Sequence, residues 1–169
     1  MSNIKNSLAL AFLPGYLYSS KYEDQVRKDV EGRNPPVTKN PKESSDQALI
    51  KQYLKGLQLQ SYDYINELIH PDFKCINTNT GSIHDGIEEI SHWKSQHNQL
   101  QHLSFSEPKL TSVRVNRGIL KGDWTLVWTT FSALDSKTLK SIDYEYHMAI
   151  KTEENKILEI QTWHQVDGE

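Results

Sequence analysis

The 169-residue chain has one cysteine, Cys75. No internal disulfide can form, so the fold must stand without covalent staples, as suits a reducing compartment. Concentrated positive charge is missing too. There are 19 Lys and Arg against 22 Asp and Glu, a formal net charge of -3, and no basic run is interleaved with aromatics, so nothing resembles the electrostatic footprint of a nucleic-acid binder. No apolar run is long and unbroken enough to span a bilayer. Also absent are a GxSxG elbow, a phosphate-binding loop, a dinucleotide fingerprint after a strand, an HExxH pair and an acidic calcium-type loop. Of the seven histidines, four are His84, His92, His97 and His102. His92 and His97 are five apart and point about 140° from each other around a helix, a poor chelating geometry. Neither a cofactor nor a metal is expected.

What remains is an ordinary soluble composition, 36% hydrophobic and 24% charged, and enough chain for one domain with an appendage. Residues 1–45 read as an arm and linker. "SLALAFLPGYLYSS" has the apolar character of a signal-peptide core, but Pro14-Gly15 interrupts it, a single lysine precedes it and no A-x-A site follows. The cytoplasm is the expected location, with secretion or a periplasmic home the alternative if this segment is a leader. "SSKYEDQVRKDVEGRNPP" reads as a capped helix stopped at Gly32, and "VTKNPKESS" as a polar linker.

The organised domain is expected over residues 46–169. "SSDQALIKQYLKGLQLQ" places Ser44 three before Gln47 as a capping box and carries a stripe of Ile50, Tyr53, Leu54 and Leu57. "SYDYINELI" is a second short helix, ended by His70-Pro71. "DFKCINTNTGSIH" is a strand, a turn at Asn79-Thr80-Gly81 and a short strand. In "DGIEEISHWKSQHNQL" Asp85 and Glu88 form a capping box, and Ile87, Ile90, Trp93, His97 and Leu100 mark a buried face. The period then drops to two, and "LTSVRVN", "ILKGDWTLVWTTFSAL", "TLKSIDYEYHMAIK" and "KILEIQTWHQV" read as four strands of an antiparallel meander. Helices first and strands after predict an α+β fold with helices on one face of a curved sheet.

This order, with "IHPDFKCINTNTGSIHDGIEEISHW" at its centre and "NKILEIQTW" at its close, resembles the nuclear transport factor 2-like superfamily, in its SnoaL-like and ketosteroid-isomerase-like branch. The resemblance covers about residues 46–166. It implies a cone, in which a strongly bent antiparallel sheet wraps around three helices and leaves a deep pocket at the open end. It also implies a pocket for a hydrophobic small molecule, acid–base chemistry without a cofactor in the enzymes of the group, and a non-catalytic scaffold as the alternative.

Carried onto this chain, the resemblance puts Asn77 where isomerase-like members have a general-base aspartate, which counts against isomerase chemistry. It puts His147 at the position of a buried acid, and Tyr53 near a first-helix tyrosine. The alternation of the 141–151 strand sets Tyr144, Tyr146, Met148 and Ile150 on one face, and Asp143, Glu145, His147 and Ala149 on the other. Pattern alone buries the tyrosine face. The resemblance reverses this, making His147 the candidate catalytic acid–base group, with Asp143 and Glu145 beside it in the pocket. Tyr53, Asn77, Trp93, His97 and Trp163 complete the expected lining. The tyrosine stripe is then left to form a homodimer through the sheet face.

Overall fold

A computed structural model of the chain describes residues 36–164. The signal-like run and the helix expected before Gly32 lie outside them.

Three helices form where periodicity and capping predict them. Helix α1 (Glu43–Gln58) buries Ile50, Tyr53, Leu54 and Leu57. Its start differs from the expected Ser44 box. The buried Asn40 accepts from the Lys42 N–H at 2.8 Å and donates to Asp46 at 2.7 Å, so one amide fixes the turn into the helix. Helix α2 (Tyr62–Leu68) follows after a short turn. Helix α3 (Gly86–Gln99) opens on the expected capping box, with Asp85 accepting from the Ile87 and Glu88 N–H groups and Glu88 returning to the Asp85 N–H. Its buried residues are Glu89 and Trp93, while Ile87 is 78% exposed and falls off the expected stripe. Gly86 explains the rotation. A Cβ there would lie 2.8 Å from Ile69 Cδ1, so the helix rests on Ile69 through its first residue and turns the next outward.

Eight strands form one sheet: β1 (Val37–Lys39), β2 (Ile69–Asn77), β3 (Ile83–His84), β4 (Leu100–Phe105), β5 (Lys109–Val115), β6 (Gly122–Asp135), β7 (Ser141–Glu153) and β8 (Lys156–His164). Their order is β1-β5-β6-β7-β8-β2-β3, with β4 on β6. Strand β6 carries β5 along its first half and β4 along its second. The β2–β8 pair is parallel and the others antiparallel, so the meander is part of a mixed sheet. Two strands were not expected. β4 lies between the third helix and the first strand of the expected meander. β1 lies in the stretch read as polar linker, where Val37 pairs with Val115 and is buried.

The sheet is strongly curved around the helices, an α+β cone. Its inner face joins Phe73, Val127, Phe131, Met148, Ile150 and Ile160 to the apolar sides of α1 and α2 in the main core. Its outer face has a second cluster of Val37, Val115, Leu120, Trp124, Leu126 and Ala149, with Trp128 and Trp163 against it. Cross-strand register fixes which residues share a face. Tyr144 sits opposite Phe131 and Met148 opposite Val127, all inward, whereas His147 sits opposite Trp128 and Trp163.

Candidate functional site

A cavity of about 350 Å³ opens between β2, β3, α3 and the inner face of β6–β8. Its floor is aromatic. Phe131 and Tyr144 stack at 4.8 Å between ring centroids with 19° between planes, and Phe105 meets Phe131, Trp93 and Tyr146 at 5.6, 6.2 and 6.0 Å. Burial raises the phenol pKa of both Tyr144 and Tyr146, so the floor stays uncharged. The mouth is polar, with Asn77, Thr80, Ser82, His84, His92 and Gln96 around it, and the buried Thr162 adds a hydroxyl to the lining. The Asn77 side chain is committed to the turn below it, accepting from the Asn79 and Thr80 N–H groups at 3.0 and 3.2 Å.

One wall holds a hydrogen-bonded cluster around Glu89, which is 6% exposed. Glu89 Oε1 accepts from the Trp93 indole N–H at 2.8 Å, and Oε2 lies 3.2 Å from His84 Nδ1. The Cys75 thiol hydrogen-bonds the same carboxylate, and burial, with that carboxylate's charge second, pushes it well above the ordinary thiol range. The cysteine is therefore a neutral donor and not a nucleophile. The Tyr53 hydroxyl is fully buried, and its pKa is raised first by burial and then by Glu89. The His92 ring stands 5.4 Å from that of His84. A buried carboxylate satisfied by indole, imidazole and thiol donors is a positioned acceptor, as burial of such a charge requires. Among the described residues, no three or more His, Cys, Asp or Glu side chains form a group able to hold a metal ion.

No protein-family profile matches this sequence, and no curated protein matches it. Solved structures do. A SnoaL-like protein of Jannaschia sp. CCS1, proposed to be a polyketide cyclase, superposes with a TM-score of 0.62 at 12% identity over 76% of this chain and 90% of its own. A nuclear transport factor 2-like protein of Burkholderia xenovorans LB400 gives 0.58 at 12% identity over 72% and 90%. A Catenulispora acidiphila protein with a ketosteroid isomerase-like fold, solved with trimethylamine, gives 0.57 at 13% identity over 70% and 85%. The chain has the nuclear transport factor 2-like fold. At such identities the likeness is one of fold, and chemistry must be argued from the side chains.

Within this nuclear transport factor 2-like cone, the residues expected at the site divide. Asn77 and Trp93 line the cavity. Tyr53 is buried, 2% exposed, and does not line the cavity. His97 stands to one side, its Nδ1 2.7 Å from the Tyr62 hydroxyl. Asp143, Glu145, His147 and Trp163 are on the outer face of the sheet, away from the cavity. Asp143 is exposed, and hydrogen bonds from the Ser132 and Ser141 hydroxyls lower its carboxyl pKa. Glu145 accepts from Thr130 at 3.2 Å. His147 meets Trp163 edge-on at 5.8 Å. The plain alternation was therefore right and the face assignment taken from the resemblance was wrong, because Tyr144 and Met148 pair with Phe131 and Val127, and Tyr146 and Ile150 lie on the same inner face in the core. That stripe is accordingly not free to carry the homodimer expected of it. The reading from sequence missed Glu89 and His84. Glu89 lies four residues before Trp93 on the same helical face, and an acid on a buried stripe was the available signal.

Proposed function

We propose that this chain binds a small, largely hydrophobic molecule in the cone's cavity. The observation that carries the reading is the cavity itself, an aromatic floor of Phe131, Tyr144 and Trp93 beneath a ring of hydroxyl, amide and imidazole groups. An apolar body with a few convergent polar groups is the usual composition of a small-molecule site. The volume is near the low end for such sites, so a ligand of one or two rings fits better than a long one. Proton transfer in this cavity would fall to His84 with Glu89, and not to His147, since only the former pair borders the bound molecule. Solved relatives in fold include a protein proposed as a polyketide cyclase, consistent with a pocket used for organic substrates.

The test is a fragment screen read by NMR on the four indole N–H signals. Aromatic fragments are expected to shift the Trp93 signal and leave Trp124, Trp128 and Trp163 in place. Shifts confined to those three outer-face indoles, or no saturable shift across the screen, would overturn the reading.

A further inference from the structure

Resting on that reading of the cavity, we infer that Glu89 sets the ligand's chemistry by fixing the tautomer of His84, so that the site selects a flat aromatic molecule bearing a hydroxyl or other hydrogen-bond donor. The argument begins at Trp93. Its indole N–H is a donor only, and it takes up Glu89 Oε1 at 2.8 Å. The second oxygen, Oε2, lies 3.2 Å from His84 Nδ1. An ionised carboxylate only accepts, so in the neutral imidazole it is Nδ1 that carries the hydrogen. Nε2 is then an acceptor. It takes no hydrogen bond among the described residues, and its ring lines the cavity with 29% of the side chain exposed at the mouth. A ligand lying on Phe131 and Tyr144 meets this lone pair at its polar edge. A donor such as a phenol satisfies it, while a carbonyl or ether oxygen at the same place faces it lone pair to lone pair.

Glu89→Gln makes the inference sharp. The Trp93 N–H still requires an oxygen, so the amide is oriented with its oxygen toward the indole and its NH2 toward His84. Nδ1 must then accept, the hydrogen moves to Nε2, and the cavity presents a donor where it presented an acceptor. One substitution that preserves shape should thus invert the preference.

The experiment compares 2-naphthol with 2-acetylnaphthalene, probes of similar size and flatness, one ending in a donor and the other in an acceptor. Dissociation constants are measured on the full chain near pH 8. The His84 ring nitrogens are observed in the same samples by 15N NMR. Wild type is expected to bind 2-naphthol about five- to tenfold more tightly, the worth of one neutral hydrogen bond, and to show hydrogen on Nδ1. Glu89→Gln is expected to remove or reverse that ratio and move the hydrogen to Nε2. If Glu89→Gln does not fold, His84→Phe serves, since it keeps a ring at the mouth and should bring the ratio to about one. Equal binding of the two probes by wild type, an unchanged ratio in the variant, or hydrogen on Nε2 in wild type overturns the inference while leaving the cavity a ligand site. Binding of neither probe overturns the inferred ligand class, and the fragment screen separately decides whether the cavity binds anything.

Discussion

The Trp93–Glu89 hydrogen bond anchors both the wall of the cavity and the tautomer argument, and its strength can be worked out in advance. Donor and acceptor are 2.8 Å apart, and both residues are 6% exposed. A hydrogen bond to an ionised acceptor in such surroundings contributes about 1.5–3 kcal/mol. Trp93→Phe removes the donor, keeps a ring in place and adds about 1 kcal/mol for the smaller side chain, a total loss of roughly 2.5–4 kcal/mol. Glu89→Met replaces the carboxylate with an apolar chain of similar length. It strands the indole, the His84 ring and the Cys75 thiol, and it is expected to cost about 1–3 kcal/mol. In the double variant the indole has gone with its acceptor, so the two losses should not add. The coupling free energy is expected at about 1.5–3 kcal/mol, with the double variant more stable than the sum predicts. Urea unfolding followed by circular dichroism measures all four corners, provided the m-values agree. A coupling below about 0.5 kcal/mol, the scatter of independent sites, would refute the reasoning, because Glu89 would then not be held by Trp93.

His147→Ala should leave fragment binding in the cavity unchanged and cost no more than about 1 kcal/mol, the size of one edge-on aromatic contact, as checked by the same unfolding and NMR titrations. Asp85→Ala removes the side chain that accepts both first-turn N–H groups of α3, and thermal or urea unfolding should register a loss of about 0.5–2 kcal/mol. Tyr53 and Tyr146 have pKa values raised by burial, so the folded state holds their protons more tightly than the unfolded one. Their contribution is complete below the ordinary phenol value of about 10 and declines as pH rises beyond it. Tyrosinate absorbance should therefore show the buried pair ionising only as the chain unfolds.

Much of the architecture was readable because local signals agreed with one another. The Ile50–Leu57 stripe, the Asp85–Glu88 box and the two-residue alternation of β5 through β8 each appear where the residues place them. The sequence did not say which side of an alternating strand faces inward, because that depends on the partners across the ladder. Tyr144 is core only because Phe131 is opposite it and the helices lie on that side. Short elements escaped for a different reason. Three residues of β1 are too few for a period to show, and the six of β4, "LQHLSF", do not alternate between buried and exposed. Glu89 escaped because an acid in the first turn of a helix is already explained by the dipole, which concealed its second role as a buried acceptor.

Strand β1 has a further consequence, for the chain's behaviour as a colloid. Its three residues cover the outer edge of β5 through Val115, Arg114 and Val113. Without them β5 would present a free row of N–H and C=O groups, a template on which another chain can extend a sheet. So small an edge strand is held by few ladder hydrogen bonds and is prone to transient opening. Loss of this pairing would open that edge to sheet extension by another copy, while the cavity lies at β2, β3, α3 and the inner face of β6–β8. Solubility and ligand binding are therefore governed from opposite margins of the same sheet.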